Sequence, residues 1–512
     1  MEIPISFVLS FASSVILIIG SYKVLLRRRK GVLPPGPRPW PLVGNIPHLP
    51  DNREWETYEK WAKEYGPVMS LSLGILGDPM IIINKFDIAK DVMNGRSANF
   101  ADRPFPILTE VKGYDWSISN ISGTPHKVRR AIASRYYSGP AAKNYQSVQQ
   151  DETLDLLRVI AASPDDLRDH LKRFGANIIL LSTYGYRVLE SSDPTIVRTH
   201  HALDFANNSL GILGLLLNAF PILRYYPTWL PFSGFQMWLA SGRELSMGAL
   251  RDEPFAKSKG LIAEGKAVPC LVSTLLEDEP DETQENLIRD CAGVMYAAGA
   301  DSSAATLYSF FLAATLYPSF YEQAQQELDT VIGGDRLPTI QDRPRLPYTE
   351  AVVLELLRWN VVTPLGIPHC VIRDDIYENM LLPAGASITA NEWTILHDPV
   401  TFPSPDMFDP NRFLGPGSKE RKEIVSVVWG WGKRACPGRQ LAEATLFISI
   451  ASLAAVFDIS LAKDADGQEV PVSSEFTSGF VRQPLPFKCS VTPRSRAALE
   501  LIQSSASSDK SV

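Results

Sequence analysis

The sequence predicts a mainly α-helical protein with small β-sheets, folded as one large domain behind an N-terminal hydrophobic segment. Apolar residues recur with the 3.6-residue period of helices through most of the chain, whereas strand-like stretches are few and short. No clean linker interrupts residues 66–493. Of the 512 residues, 45% are hydrophobic and 21% are charged, a balance that is typical of a folded globular protein and excludes extensive disorder.

The N-terminal segment has the features of a membrane anchor. Residues 5–22 carry no charge, and as a helix they would span about 27 Å, enough to cross a thin bilayer. Glu2 precedes the apolar run, and Lys23 and the basic residues 27–30 follow it. A cleaved signal peptide would instead place its positive charge first. We therefore expect residues 1–30 to be a single-pass anchor with the following domain in the cytosol, at the endoplasmic reticulum of a eukaryotic cell.

A proline-rich stretch separates this anchor from the domain. Residues 33–41 read Leu-Pro-Pro-Gly-Pro-Arg-Pro-Trp-Pro, and proline both lacks a backbone donor and fixes φ. The stretch therefore predicts a stiff, extended hinge over residues 31–45. The domain is expected over residues 46–495, and residues 496–512 are expected to form a partly disordered tail.

The secondary structure of the domain can be predicted in chain order. Two apolar stretches, Val68–Leu73 and Met80–Asn84, flank a Gly-Asp-Pro turn and predict a β-hairpin. Helical periodicity predicts helices over Ala141–Ala161, Leu167–Tyr184, Thr195–Leu217, Gln236–Ala256, Asn286–Tyr317, Ser319–Ile332, Tyr348–Trp359 and Leu441–Val456. Short strands are expected at Pro368–Arg373, Ser387–Ala390 and Lys488–Thr492.

The helix predicted over Asn286–Tyr317 is unusually apolar. Asp301 is the one charge between Cys291 and Tyr317, so the segment is long enough to be read as a second membrane span. An acid and two hydroxyls at mid-helix would be costly in lipid, which favours a helix that crosses the core of a soluble domain.

Charge and cysteine content exclude several classes of function. There are 50 Lys+Arg and 57 Asp+Glu, and the net charge of −7 offers no general footing for nucleic acid. The five cysteines are far apart, form no Cys-x-x-Cys pair and are odd in number, which argues against a zinc site or a disulfide framework.

One cysteine stands in a distinctive context. Trp429–Gly438 reads Trp-Gly-Trp-Gly-Lys-Arg-Ala-Cys-Pro-Gly and leads into an apolar helix. Cys436 beside Arg434 at a helix N-terminus is favoured as a thiolate, and the glycines allow a bulky group to approach the backbone. A cysteine on its own is more often an inert buried hydrophobe.

The surrounding motifs resemble the cytochrome P450 family, the haem-thiolate monooxygenases. The cysteine loop matches the family's Phe-Gly-x-Gly-x-Arg-x-Cys-x-Gly signature except for Trp429. Residues 355–358 match its Glu-x-x-Arg helix, residues 408–413 resemble its Pro-x-Arg-Phe segment, and residues 298–303 resemble its oxygen-activating helix. All four follow in the family's order, after its Pro-Pro-Gly-Pro hinge, so the resemblance implies the cytochrome P450 fold.

The resemblance implies a haem b site. Cys436 would be the axial ligand of the haem iron, and its thiolate would favour O–O cleavage of bound O2. The other residues that the resemblance assigns to haem binding are Arg434, Arg129, His369, Gly430, Gly432 and Gly438. Glu355, Arg358 and Arg412 would form a buried structural network. Pro125 and His126 replace the Trp-Arg that the family usually has before the residue matched by Arg129.

Two residues of the long helix would serve the oxygen chemistry. By resemblance, Asp301 and Ser302 are the acid and the hydroxyl that relay protons to oxygen. Ser302 stands where the family usually has threonine. A local distortion of the helix could assist the relay, while the structural alternative is that the hydroxyl bonds its own helical turn.

Substrate-facing segments can also be placed by resemblance. Their residues are mostly apolar and favour a lipophilic small molecule: Phe105, Ile118, Leu210, Leu213, Tyr296, Ala297, Val362, Leu365 and Phe480. The chain is similar to fungal secondary-metabolism monooxygenases such as the O-methylsterigmatocystin oxidoreductase group. That likeness favours a terpenoid, polyketide or aromatic substrate.

The electron source should lie outside this chain. We find no Rossmann-type fingerprint, so the resemblance implies NADPH-derived electrons from a membrane-bound NADPH–cytochrome P450 reductase, with cytochrome b5 as a second possible donor. A reductase-independent haem-thiolate isomerase, dehydratase or peroxygenase remains an alternative, as does a membrane-anchored haem-binding protein without turnover.

Overall fold

The computed structural model describes residues 31–74, 77–104, 107–208, 217, 224–226, 229 and 234–504. The expected anchor, residues 505–512 of the C-terminal tail, and the pocket residues Phe105, Leu210 and Leu213 lie outside the described residues.

The described chain is mainly helical with small sheets, which confirms the predicted fold class. In chain order its α-helices are α1 (Glu54–Tyr65), α2 (Phe86–Ala89), α3 (Ser97–Phe100), α4 (Ile107–Val111), α5 (Gly123–Tyr137), α6 (Gln146–Ala162), α7 (Leu167–Tyr184), α8 (Pro194–Asn208), α9 (Gly234–Met247), α10 (Glu253–Ala263), α11 (Leu271–Leu276), α12 (Glu282–Leu316), α13 (Pro318–Val331), α14 (Pro347–Trp359), α15 (Glu392–Leu396), α16 (Ser418–Val425), α17 (Arg439–Val456) and α18 (Arg496–Ser504).

Several predicted helix boundaries differ from the structure by one to five residues, and one predicted helix is divided. The helix expected from Ala141 begins at Gln146, because the Gly139–Tyr145 stretch, with Pro140 near its start, forms a 3₁₀-helix. The helix expected over 236–256 is divided into α9 and α10 by a π-helical segment at Gly248–Asp252. The helix expected over 195–217 is described as far as Asn208.

The β portion forms three small sheets. The strands are β1 (Val68–Leu71), β2 (Met80–Ile83), β3 (His369–Cys370), β4 (Asp375–Tyr377), β5 (Met380–Leu382), β6 (Ser387–Ala390), β7 (Phe457–Leu461) and β8 (Cys489–Pro493). The predicted hairpin is confirmed, since β1 pairs antiparallel with β2. Strand β2 then pairs parallel with β6, which pairs antiparallel with β3. This sheet carries His369 toward the cysteine loop, while β4–β5 and β7–β8 form separate hairpin-like pairs.

Helix α12 crosses the core of the domain. Asp281 caps its N-terminus by accepting from the Gln284 amide, and Pro318 follows its end. A Cβ at Gly299 would lie 2.4 Å from the Ile179 side chain, so the missing side chain lets α12 approach α7 closely. Most side chains after Ile288 are buried against protein, as expected for a core helix.

Among the described residues, one helix is long and apolar enough to cross a membrane. It is α17, and 72% of it is buried inside the protein. Its burial identifies it as a core helix on which the cysteine loop is mounted.

The proline-rich stretch lies against the domain. The Ser70 amide donates to Pro35 O at 2.8 Å, and the Ser70 hydroxyl donates to Pro34 O at 2.6 Å. A Cβ at Gly36 would lie 2.0 Å from Ser70 O, so only glycine permits this approach. The segment that was expected to be a hinge is therefore fixed to β1 over these residues.

Candidate functional site

The cysteine loop is a tight backbone structure immediately before α17. Gly430 and Gly432 have φ values of 79° and 50°, in the left-handed region that favours glycine. A Cβ at Gly432 would also lie 2.7 Å from Met93 O. The Cys436 amide donates to Trp429 O at 2.6 Å and closes the loop. These constraints fix the cysteine at the entry to the helix.

Cys436 lies in a recess between surrounding residues, which we call the cysteine cleft. Its side chain is exposed, yet the surrounding protein desolvates the thiol and raises its pKa. The Gly438 N–H, which bonds the sulfur, and the charges of Arg130 and Arg439 oppose this rise. Desolvation is the largest influence on the pKa of Cys436, and coordination to a metal would favour the thiolate that the sequence predicts.

Three guanidinium groups gather beside this cleft. Arg434 donates to the carbonyls of Ala101, Ile118 and Ile121 at 2.7, 3.1 and 2.8 Å. Arg103 donates to the Pro368 carbonyl at 2.6 Å, and Arg130 donates to the carbonyl of Ala435, next to the cysteine. In the described part of the chain, no carboxylate forms a salt bridge with any of the three.

The charges in this cluster repel one another. Desolvation and the nearby Arg434 lower the pKa of Arg103 to about 9. Desolvation, followed by Arg434, Arg130 and Arg103, lowers the pKa of His126 to about 4. His369 is also held neutral, since burial and Arg103 lower its pKa to about 3, and its Nδ1 bonds the Phe100 carbonyl at 2.7 Å.

This arrangement fits a haem. The buried Nε of Arg103 has no hydrogen-bond partner, and three guanidiniums lacking a carboxylate match the two propionates that haem carries. The sulfur of Cys436 faces the same cleft and is a suitable ligand for haem iron. The sulfur of Cys436 therefore suits the iron of haem, and the three arginines suit its propionates.

The structure places Arg129 elsewhere. Its Nη2 lies 2.6 Å from Asp290 Oδ2 on α12, and Asp290 also binds Arg251 at 2.8 Å. The next residue, Arg130, reaches the cysteine loop instead. The resemblance led us to expect a haem contact at Arg129, whereas the contact with the cysteine loop is made by Arg130. The i,i+4 spacing of His126 and Arg130 on one helix face was the signal that could have found it.

Asp301 and Ser302 occupy different surroundings on α12. Asp301 is buried, and desolvation together with Asp204 raises its pKa, while Lys172, Asn207 and Arg168 oppose the rise. Ser302 is half-buried, and its hydroxyl donates to Ala298 O at 3.0 Å. Helix α12 is continuous through this region, so the expected local distortion is absent from it.

Glu355 joins two arginines in the core. Arg358 donates to its two carboxylate oxygens at 2.6 and 2.8 Å, and Arg412 Nε lies 3.3 Å from Oε1. The Asp409 amide adds a bond of 2.8 Å to the same carboxylate. Glu355 and Arg358 are both completely buried, so the three residues that the sequence grouped are together in the structure.

The expected pocket residues are dispersed. Tyr296 is fully buried, with its hydroxyl 2.8 Å from that of Thr199, so it packs between helices rather than lining a cavity. Leu365 packs against the cluster around β1 and β2. Ala297, Ile118 and Val362 are partly buried, and Phe480 is 37% exposed.

Comparison with known proteins shows the family to which this chain belongs. The cytochrome P450 family model matches residues 34–491. The chain is 37% identical over 505 residues to cytochrome P450 monooxygenase 208 of Postia placenta, covering 97% of each chain. It is 38% identical over 493 residues to cytochrome P450 monooxygenase claR of Ampulloclitocybe clavipes, covering 95% of this chain and 90% of the relative. The chain belongs to the cytochrome P450 family and is an oxidoreductase of the monooxygenase type.

Proposed function

We propose that this chain is a membrane-anchored haem-thiolate monooxygenase that uses O2 and NADPH-derived electrons to oxidise a lipophilic small molecule in fungal secondary metabolism. The observation that carries the proposal is the desolvated Cys436 in a cleft beside three guanidiniums without carboxylate partners. The fungal relatives named as monooxygenases support the class of reaction.

Different residues would bind the iron and the propionates of haem. Cys436 would ligate the iron, and the Gly438 N–H would donate to the sulfur and moderate its basicity. Arg103, Arg130 and Arg434 would bind the propionates, with the neutral imidazoles of His126 and His369 as further donors. When bound, haem supplies the iron that activates O2.

Asp301 and Ser302 would move protons toward that oxygen. The raised pKa of the Asp301 carboxyl favours its protonated form, which can donate a proton. The Ser302 hydroxyl donates a hydrogen bond to the Ala298 carbonyl. The serine oxygen is thus free to accept from water while its proton is held in place. The two side chains have different surroundings, so the proposed relay would connect Asp301 Oδ and Ser302 Oγ through water.

The relay can be tested separately from haem binding. Ser302→Ala should uncouple NADPH consumption from product formation, whereas the neighbouring Ser303→Ala should leave coupling as in the wild type. Ser302→Thr should retain it, since the hydroxyl is kept. Unchanged coupling in Ser302→Ala would refute the relay role.

The reduced, CO-bound absorption spectrum tests the central claim. Wild-type protein should show the red-shifted Soret band of a thiolate ligand, and Cys436→Ser should lose it. A folded wild-type protein without that band would overturn the proposal. Product formation must then require NADPH and a reductase; turnover without either would favour the isomerase, dehydratase or peroxygenase alternative.

The substrate and the compartment need their own measurements. Product analysis after co-expression with a reductase and neighbouring pathway genes would identify the substrate class. Protease treatment of intact microsomes should digest the domain, because the anchor is expected to leave it in the cytosol. Protection of the domain would contradict this topology.

A further inference from the structure

Arg482 is a buried cation without an acidic partner. It is 8% exposed, and among the described residues no carboxylate forms a salt bridge with it. Burial lowers its pKa to about 9, the nearby Arg53 adds to this, and Glu56 opposes it. A buried charge of this kind is costly unless other groups stabilise it, so its contacts indicate what it is kept for.

Aromatic faces and one amide hold the guanidinium. Its central carbon lies 3.7 Å from the Phe476 ring centroid and 4.6 Å from that of Trp393, both within cation–π range. Nη1 donates to Asn360 Oδ1 at 2.6 Å, and Asn360 Nδ2 donates to Ser309 Oγ on α12 at 2.6 Å. Arginine can stack and donate at the same time because its guanidinium is planar.

These contacts join two segments, residues 361–367 and 478–481, that the resemblance to the family leads us to expect beside the substrate. The Arg482 amide donates to Val362 O at 2.7 Å, and the Trp393 amide donates to Pro364 O at 3.1 Å. The first bond joins residue 482, which follows segment 478–481, to segment 361–367, and the second joins segment 361–367 to Trp393 on α15. An aliphatic side chain at position 482 would keep the backbone bonds but lose the stacking and leave Asn360 Oδ1 without its donor.

We propose that Arg482 is a positioning residue for substrate selectivity, which holds segments 361–367 and 478–481 at a fixed separation by seating its guanidinium on Phe476 and Trp393. The inference rests on the proposed function, because it presumes that these segments border the substrate. Selectivity follows from rigidity, since a bulky ligand that must order loose segments binds less tightly than one that meets them preformed.

Two azoles of different size probe this role in the holoenzyme. Imidazole reaches the iron without touching distant walls, whereas clotrimazole needs the surrounding pocket. In Arg482→Met we expect the Kd of clotrimazole to rise about tenfold and that of imidazole to stay within about twofold of wild type. Arg482→Lys should restore part of the difference, and Arg496→Met, at a residue whose side chain is 93% exposed, is the matched control. Equal effects on both azoles, or on neither, would overturn the proposal.

Hydrogen exchange tests the same inference without relying on haem chemistry. Amides of residues 361–366 and 476–485 should exchange faster in Arg482→Met than in wild type, while those of β7 should be unchanged. Equal exchange in the two proteins would refute the positioning role even if the azoles bind normally. Loss of the thiolate-type spectrum in wild type would instead count against the proposed function.

Discussion

Two groups of arginines in this molecule differ in whether they form a salt bridge with a carboxylate. In the core, Arg358 and Arg412 both bond the carboxylate of Glu355. Beside the cysteine cleft, Arg103, Arg130 and Arg434 bond backbone carbonyls and have no carboxylate salt bridge within the described ranges. Arg358 is completely buried and the three arginines beside the cleft are half-buried, and the two groups differ in whether the protein supplies a carboxylate as salt-bridge partner.

The contrast separates a structural network from a ligand site. A guanidinium bonded to a buried carboxylate has its partner in the folded chain and needs nothing further. Desolvation lowers the pKa of Arg434 to about 10, Asp102 opposes this and Arg130 adds to it, so several close positive charges remain without a salt bridge to a carboxylate. We call Arg358 and Arg412, which bond Glu355, the balanced group, and Arg103, Arg130 and Arg434 with the adjacent His126 and His369 the unbalanced group. The unbalanced group is the one expected to bind the propionates.

The largest effect is expected in the balanced group. Glu355→Gln keeps the shape of the side chain but leaves two buried cations, and should lower the free energy of unfolding by about 3–5 kcal/mol. Denaturant unfolding measures this, with the exposed Glu322→Gln as the matched control. Arg358→Ala should give misfolded, haem-free protein. Normal haem incorporation in that variant would contradict the structural role.

The neighbouring residues Arg129 and Arg130 allow the unbalanced group to be tested within one helix. Arg130→Ala should weaken haem affinity about 10–100-fold, as expected for a residue that orients a bound group, without destabilising the apoprotein. Arg129→Ala should leave haem affinity unchanged and lower stability, because it removes a partner of Asp290. Haem titration and apoprotein unfolding measure the two effects; the reverse pattern would return the propionate contact to Arg129.

The imidazoles of the unbalanced group predict a pH dependence of the apoprotein. His369 and His126 have folded pKa values of about 3 and about 4, below the ordinary 6.5 of the unfolded chain. Their contribution to stability is therefore present above pH 6.5 and is lost as the pH falls toward the folded values. Haem should reduce this loss, because propionates favour protonated imidazoles. Equal pH dependence of apoprotein and holoprotein between pH 6.5 and 4 would contradict the placement of propionates beside these residues.

Local patterns predicted the elements better than they predicted the site. Helix α7 has the predicted bounds because Gly185, with φ of 74°, ends an uninterrupted apolar pattern. The start of α6 was missed because a 3₁₀ stretch precedes it. In each case the deciding residues are close together in sequence.

The errors in the site arose from direction and from long-range contacts. Residues 129 and 130 point in directions about 100° apart on their helix, so a shift of one residue in the motif match exchanges the contact with Asp290 for the contact with the cysteine loop. Arg482 lies next to Trp393 only because distant segments fold together, and no periodicity records that contact. Sequence motifs identified Cys436 and Glu355, whose neighbours in the chain carry most of the signal.

The smallest effect on stability is expected for an ion pair that is exposed to solvent. Arg496 and Glu500 lie 3.0 Å apart one turn along α18, with side chains 93% and 61% exposed. Water screens both charges, so Glu500→Gln should change the free energy of unfolding by no more than about 0.5 kcal/mol, and less at high salt. Denaturant unfolding at low and high ionic strength measures this beside Glu355→Gln. If Glu500→Gln lowered the free energy of unfolding as much as Glu355→Gln, the stabilisation by Glu355 would come from ion pairing alone and not from the burial of the pair.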